Sequence, residues 1–160
     1  FSGRTGEGAF HFPWLDEWLP GLRAEVIDPL GVPLDRIRRM QFASMPPGAY
    51  INTHRDSGAW VATTHRVHVV LTSNSNVSFQ FVANNDRAPI TVQAKEGDVF
   101  EVNNARRHWV TNTGERERVH LLIDYAEAPN RFTERLRPGE VMEDHHLATG
   151  RVARGPGSAH

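Results

Sequence analysis

The sequence predicts a mainly β domain of the jelly-roll type with an N-terminal helical segment. Its 160 residues suit a single domain with a core of its own. Eight short stretches rich in Val, Ile, Phe and Thr follow one another between residues 38 and 124, and turn-forming residues separate them. Eight short strands of this kind are typical of a jelly roll. We divide the chain into a helical segment over residues 1–34, a β core over residues 35–125 and an extension over residues 126–160.

The helical segment is predicted over residues 13–30. Its apolar residues recur at helical spacing, and Asp16 and Glu17 occupy the opening turn, as in an amphipathic helix that packs on a core. Pro20-Gly21 interrupts this pattern, which predicts two short helices or a kink. We expect three aromatic residues to pack in the core or in a lid: Phe12, Trp14 and Trp18.

The β core shows the alternation expected of sheet strands. We predict strands over residues 38–43, 51–53, 66–72, 77–82, 90–94, 98–102, 108–111 and 117–124. The intervening turns include Ser73-Asn-Ser-Asn76, Asn84-Asn-Asp86, Glu96-Gly97 and Asn112-Thr-Gly114. Beyond Tyr125 the chain becomes polar, with one short helix predicted over residues 130–137 and a mobile tail over residues 148–160.

Charge and composition exclude several classes of function. Eighteen Lys and Arg residues against nineteen Asp and Glu residues give a formal net charge of -1, so we expect no nucleic-acid partner and no anionic membrane partner. The chain has no cysteine, so any metal would be bound through His, Asp or Glu. The longest apolar runs fall far short of the roughly twenty residues that span a bilayer, and no leader sequence is recognisable. We expect a soluble, cytoplasmic protein.

Three residues form a candidate metal site. His54 and Asp56 follow a predicted strand two residues apart, so that in an extended chain both side chains point to the same side. His108 begins a later strand and would supply the third ligand. Two histidines and one carboxylate on one side of a metal form the facial triad of iron(II) oxygenases, which leaves positions open for a co-substrate and oxygen.

A candidate anion site lies on the last strand of the core. Arg118 alternates there with apolar residues, and its guanidinium suits a dicarboxylate held by a bidentate pair. On another alternating strand, Arg66 and His68 share a face and would add donors to the same ligand.

Six motifs occur in a fixed order along residues 38–124. They are Met45-Pro-Pro-Gly48, His54-Arg-Asp56, Arg66-Val-His68, Glu96-Gly-Asp98-Val99, His108-Trp-Val-Thr-Asn112 and Arg118-Val-His-Leu-Leu-Ile-Asp124. In this order they resemble the aspartyl/asparaginyl β-hydroxylase family of 2-oxoglutarate oxygenases. The resemblance implies a double-stranded β-helix, the cupin-like form of the jelly roll. It also implies an iron(II) enzyme that uses 2-oxoglutarate and O2 and forms succinate and CO2.

The resemblance assigns a role to each candidate residue. Iron ligands are implied at His54, Asp56 and His108, and Arg118 is implied to bind 2-oxoglutarate. Arg66 and His68 match positions that assist at the other carboxylate of this co-substrate.

Two features distinguish this sequence within the resemblance. Animal members lack the carboxylate ligand, whereas Asp56 fits the bacterial amino-acid hydroxylases. A serine that helps to bind 2-oxoglutarate in some members corresponds to Ala43. The implied reaction is hydroxylation of a C–H bond in a small-molecule or peptide substrate, namely an amino acid or an Asp- or Asn-like side chain.

Other interpretations stay open at this point. A cupin-like metal-binding protein without oxygenase activity would use the same triad, as an isomerase or a ligand-binding module, and a purely structural β-sandwich would use none of it. We take His65 and His120 as structural, and His145-His146 beside Glu143-Asp144 as solvated. Of the two tryptophans that flank the metal motifs, Trp60 is expected at the mouth of the site and Trp109 is expected to point away from His108.

Overall fold

The computed structural model describes residues 8–83 and 88–140. Its helix and strands are, in chain order, β1 (Gly8–His11), α1 (Leu15–Leu22), β2 (Ile37–Met45), β3 (Tyr50–His54), β4 (His65–Thr72), β5 (Val77–Phe81), β6 (Ile90–Val92), β7 (Val99–Val102), β8 (His108–Asn112), β9 (Arg118–Tyr125) and β10 (Phe132–Arg135). A π-helical turn, Arg23–Ile27, follows α1, and 3-10 turns at Leu34–Arg36 and Ala59–Ala62 precede β2 and β4.

The predicted jelly roll is confirmed. Each of the eight predicted strands has a counterpart, from β2 to β9, and these strands form two four-stranded sheets. Sheet I has the order β2-β9-β4-β7, and sheet II has the order β3-β8-β5-β6. The pairings of β4 with β7 and β9, and those of β8 with β3 and β5, are antiparallel. These strands all lie in the compact unit that spans Arg39–Tyr125, apart from the first two residues of β2.

An apolar core joins the two sheets. Strand alternation sends one set of side chains from each sheet inward, and these pack into a cluster of Met45, Val77, Phe79, Val102 and Val110. The opposite face of sheet I is also buried and wholly apolar at its centre, with Val67, Val69, Leu121 and Ile123 each at most 5% exposed. The buried polar residues of sheet I therefore lie on the inner face, beside the core cluster: Arg66, His68, Arg118, His120 and Asp124.

A second unit comprises Phe1–Arg38 and Ala126–His160. Within its described part, β1 and β10 pair in parallel, with Gly8 opposite Phe132 and His11 opposite Arg135. The helix predicted over residues 130–137 is therefore wrong. A Cβ on Gly8 would lie 2.2 Å from the ring of Phe132, so glycine permits this close approach.

The helical segment of this unit follows the prediction only in part. It consists of two short helical pieces, but α1 runs through Pro20-Gly21 and changes to the π-helical turn after Leu22. The expected packing of Trp14 and Trp18 is wrong, because these side chains are 56% and 60% exposed, whereas Phe12 is half-buried. With eight residues in α1, no helix in the described ranges could cross a membrane.

Three predictions concern residues that the structure does not describe. They are the turn Asn84-Asn-Asp86, the acidic and histidine cluster Glu143-Asp-His-His146, and the tail over residues 148–160.

Candidate metal centre

His54 and His108 meet across a pair of neighbouring strands in sheet II. The register between β3 and β8 shifts between Ile51 and His54, and this irregularity places His54 directly opposite His108. Their ring centroids are 4.3 Å apart. Asp56 lies two residues beyond His54, and one ligand atom from each of the three residues lies within 4.8 Å of the others. Two imidazoles and one carboxylate in this arrangement fit a metal such as iron(II).

Backbone carbonyls fix the orientation of both imidazole rings. Nδ1 of His54 lies 2.8 Å from the carbonyl oxygen of Asn52, and Nδ1 of His108 lies 2.8 Å from that of Arg106. A carbonyl only accepts, so each Nδ1 carries the hydrogen and each Nε2 presents its lone pair to the metal position. Burial also lowers the pKa of His108, which favours the neutral form that binds metal.

The two oxygens of Asp56 have different surroundings. Oδ2 accepts a hydrogen bond from Nη1 of Arg66 at 2.8 Å and one from Nδ2 of Asn104 at 3.2 Å. Oδ1 faces Nε2 of His54 at 3.5 Å. The backbone N–H of Asp56 donates to the carbonyl of Asn104 at 2.9 Å. Asn104 therefore binds both the main chain and the carboxylate of Asp56.

Arg66 is bound on several sides. Its Nε and Nη2 donate to the two oxygens of Asp124 at 2.7 and 2.8 Å, and its guanidinium carbon lies 4.8 Å from the ring centroid of Trp60. Burial alone would lower the pKa of Arg66, but the hydrogen bonds and charge of Asp124 and the charge of Asp56 raise it. Arg66 is therefore a permanently charged group between two carboxylates.

A pocket of about 130 Å³ opens between the two sheets at this point. Sheet I contributes residues from β2, β4, β7 and β9, and sheet II contributes residues from β3, β5 and β8. Its lining is Ala43, Ile51, His54, Asp56, Arg66, His68, Phe79, Val102, Asn104, His108, Val110, Arg118 and Leu122. All six residues selected from the sequence thus line a single pocket.

Arg118 lies in this pocket as a buried cation. It is 4% exposed, and its Nε has no hydrogen-bond partner. Within the described residues its one hydrogen bond runs from Nη2 to Nδ1 of His120, at 2.8 Å, and no carboxylate pairs with it. Burial lowers the pKa of Arg118 to about 10, so the guanidinium stays charged at neutral pH.

His120 and His68 extend a row of hydrogen-bonded side chains that begins at Arg118. Their Nδ1 atoms are 3.1 Å apart, and the ring of His68 is stacked on Phe100 with centroids 5.2 Å apart. Burial is the main reason that the pKa of His68 falls to about 2 and that of His120 to about 3. Both rings are therefore neutral at physiological pH.

Ala43 and Trp109 lie where strand alternation predicts, whereas Trp60, expected at the mouth of the site, is not among the residues that line the pocket. Ala43 lines the pocket, whereas Ser44 is exposed and donates to Glu117. Trp60 contacts Arg66, which lines the pocket, and Trp109 lies between the buried residues His108 and Val110 on β8 without lining it.

Two residues at the site were missed in the sequence. Asn104 supports Asp56, and Asp124 holds Arg66. Alternation along β9 placed Asp124 on the face of Arg118, which was a signal for the second residue. Asn104 lies in the loop before β8, where no periodicity marks a buried amide.

Comparisons with known proteins bear on this site. The family model described as aspartyl/asparaginyl β-hydroxylase matches residues 23–128. A solved oxidoreductase of the 2OG-Fe(II) oxygenase family from Burkholderia pseudomallei is 22% identical with a TM-score of 0.54, over 71% of this chain and 57% of that one. This likeness supports the fold, and the chain spans little more than half of that protein.

Two further structures are weaker matches. A cupin domain from Bordetella pertussis Tohama I is 20% identical with a TM-score of 0.42, over 61% of this chain and 88% of that one. The CENP-C cupin domain of Drosophila melanogaster is 12% identical with a TM-score of 0.42, over 53% and 55% of the two chains. No curated protein matches the chain.

Proposed function

This chain belongs to the aspartyl/asparaginyl β-hydroxylase family, and we propose that it is an iron(II)- and 2-oxoglutarate-dependent dioxygenase. It would hydroxylate a C–H bond of an amino-acid or peptidyl substrate. The observation that carries the proposal is the pairing of two features in one pocket: a His-Asp-His triad, and a buried arginine with no carboxylate partner in the described part of the chain.

Arg118 supports the choice of co-substrate. A buried cation without a counter-charge is costly, and the cost is offset when an anionic ligand enters. The guanidinium fork suits one carboxylate of 2-oxoglutarate, and apolar neighbours such as Phe79 and Leu122 would exclude water from that pair. His68 lines the same pocket as a neutral ring.

The triad supports the choice of metal. His54, Asp56 and His108 would hold iron(II) through Nε2, a carboxylate oxygen and Nε2, and the backbone carbonyls that fix the two rings raise their basicity as ligands. When bound, iron(II) and 2-oxoglutarate use O2 to convert a substrate C–H to C–OH, with succinate and CO2 as the other products.

Substrate and partner are proposals of the same kind. The family name and the absence of any nucleic-acid signal in the charge favour a small-molecule or peptide substrate, specifically an amino acid or an Asp- or Asn-like side chain. The test is succinate formation with iron(II), ascorbate and O2 over a panel of amino acids and short peptides, together with mass detection of one added oxygen atom in the substrate.

A pair of arginine variants tests the co-substrate site. In Arg118→Ala, 2-oxoglutarate affinity should fall by about 100-fold or more, because a bidentate charge-assisted pair is lost, while metal affinity is kept. Arg116→Ala is the matched control, since that side chain is 65% exposed and pairs with Glu96 on the surface. Calorimetric titration of 2-oxoglutarate into the metal-loaded proteins measures the first affinity, and titration of metal into the metal-free proteins measures the second.

One combination of binding results would contradict the proposed oxygenase function. If the wild-type protein binds metal but not 2-oxoglutarate, and Arg118→Ala changes neither affinity, the chain is a cupin-like metal-binding protein and not an oxygenase of this type.

A further inference from the structure

We infer that Arg66, Asn104 and Asp124 act as a clamp that fixes Asp56 as a one-oxygen metal ligand. This set of residues is called the Asp56 clamp below. The inference rests on the metal-binding part of the proposed function and does not depend on 2-oxoglutarate. It assigns Arg66 a positioning role at the metal, whereas the family resemblance places Arg66 at the co-substrate.

The two oxygens of Asp56 are already distinguished by their partners. Arg66 and Asn104 both donate to Oδ2, at 2.8 and 3.2 Å, while Oδ1 faces His54. An oxygen that accepts two hydrogen bonds is turned away from a metal on the other side of the carboxylate. Oδ1 alone would then be available to a metal, so Asp56 would occupy one coordination position, and the positions that a facial triad leaves open would stay open.

Arg66 is itself held so firmly that it can serve as a fixed point. It lies directly opposite Asp124 in the register of β4 and β9, and the two side chains share a pair of hydrogen bonds of 2.7 and 2.8 Å. Asp124 is 3% exposed, which makes this ion pair a buried one. The ring of Trp60 covers the guanidinium at 4.8 Å. A bidentate pair with a ring beside it leaves the Arg66 fork little freedom to turn.

The contrast with Arg118 separates the roles of the two arginines. All three nitrogens of Arg66 donate to carboxylates of the protein, and one of those carboxylates belongs to the metal triad. Arg118 has an unpaired Nε and no carboxylate within the described residues. The pocket therefore contains one arginine, Arg66, that is paired with carboxylates of the protein. The other, Arg118, has no carboxylate partner in the described residues and is available to pair with an anionic ligand.

The Asp56 clamp also links the two sheets across the pocket. Arg66 and Asp124 belong to sheet I, whereas Asp56 follows β3 of sheet II and Asn104 precedes β8 of sheet II. The orientation of the metal carboxylate thus depends on the distance between the sheets. A change at Arg66 should reach the metal through Asp56, without contact between Arg66 and the metal.

The test compares metal and co-substrate binding in matched arginine variants of the full chain. In Arg66→Gln, Co(II) affinity should fall by about 10- to 100-fold, as when hydrogen-bond partners of metal ligands are removed elsewhere. The affinity of the Co(II)-saturated protein for 2-oxoglutarate should change by less than about threefold. Arg118→Gln should give the reverse split, with Co(II) affinity kept and 2-oxoglutarate affinity lost. Titrations followed by the visible absorption of Co(II) and by calorimetry give both constants.

Spectroscopy and a second variant separate positioning from a general loss of structure. The visible spectrum of bound Co(II), which responds to coordination number, should change in Arg66→Gln and be partly restored in Arg66→Lys. Asn104→Ser removes one hydrogen bond to Oδ2 but leaves the Arg66–Asp124 pair intact, and it should weaken Co(II) binding by a smaller factor. If Arg66→Gln does not fold, Asn104→Ser is the test of the inference. Co(II) affinity and a Co(II) spectrum in Asn104→Ser that equal those of the wild-type protein would then overturn it.

Two further results would overturn it. One is unchanged Co(II) affinity in Arg66→Gln together with lost 2-oxoglutarate affinity, which would make Arg66 a co-substrate ligand. The other is no change in either constant. A failure of the co-substrate proposal looks different, because then Arg118→Gln leaves 2-oxoglutarate binding as it is in the wild-type protein.

Discussion

Hydrogen bonds connect Arg118 to His120 and His120 to His68. The positions of the hydrogens follow from which of these groups can donate and which can accept. Arg118 can only donate, so Nδ1 of His120 accepts and the hydrogen of that ring lies on Nε2. Nδ1 of His68, 3.1 Å from the same atom, must then be the donor. The Nε2 atom of His68 is left as an acceptor. A single arginine therefore determines the tautomers of two buried histidines.

These two histidines make stability depend on pH. Their folded-state pKa values, about 2 for His68 and about 3 for His120, lie below the ordinary value of 6.5. Between these values the unfolded chain binds more protons than the folded one, so the free energy of unfolding rises with pH up to about 6.5. Conversely, it falls on acidification by about 1.4 kcal/mol per pH unit for each histidine, well below pH 6.5.

Urea unfolding at several pH values between about 4 and 7 measures this slope. His120→Gln should flatten it relative to the wild-type protein, and comparison of the two proteins cancels the contribution of His108. An equal slope in both proteins would show that His120 does not titrate on unfolding.

At the scale of elements, Asn112 ties the end of β8 to two loops. It is fully buried, and its Nδ2 lies within hydrogen-bond distance of the carbonyls of Met45, Pro46 and Arg116, at 3.1, 3.2 and 2.8 Å. Its Oδ1 accepts from Nδ2 of Asn74 at 3.1 Å. One amide thus satisfies backbone groups at the end of β2 and before β9, and joins sheet I to sheet II away from the metal.

Removal of this amide should be costly. Asn112→Ala leaves the buried carbonyl of Met45 and two partly buried carbonyls without this donor, so the free energy of unfolding should fall by about 2–4 kcal/mol. Thr113→Ala is the neighbouring control, because that residue is exposed and its hydroxyl donates one hydrogen bond to Asn76; the expected loss is under about 1 kcal/mol. Denaturant unfolding compares the two, and equal losses would contradict the role of Asn112.

At the scale of the whole molecule, the triad and its supports connect segments that are far apart in sequence. A metal that binds only the folded chain stabilises it by mass action, by about 2.7 kcal/mol when the metal concentration is 100 times the dissociation constant. Co(II) should therefore raise the unfolding temperature of the wild-type protein.

The rise in unfolding temperature caused by Co(II) should be absent in His108→Ala. His65→Ala serves as the control histidine, since His65 pairs with Glu101 and stacks on Tyr125, and neither contact belongs to the triad. Thermal unfolding with and without Co(II) measures the effect. A shift that persists in His108→Ala would place the metal elsewhere.

Local sequence patterns were sufficient to predict the strands, because side chains along a strand alternate between two faces every two residues. The predicted strands and the β4 and β9 alternation match the structure, since each depends on neighbours in sequence. The pairing of β1 with β10 joins residues more than a hundred positions apart and is parallel, so no short-range pattern marks it. Helical spacing likewise identified α1 but not the exposure of Trp14 and Trp18, because exposure depends on what lies against the helix.

The sequence by itself determined the jelly roll and the order of the motifs, and it selected six residues that meet in one pocket. It could do so because five of these residues sit at a strand end or on an alternating strand, where spacing fixes direction, and Asp56 follows the end of β3 by two residues. Only the tertiary structure decided what each polar group contacts. That Arg66 is tied to Asp56 and Asp124 while Arg118 is left without a carboxylate follows from the packing of one sheet on the other, and the two arginines look alike in the sequence.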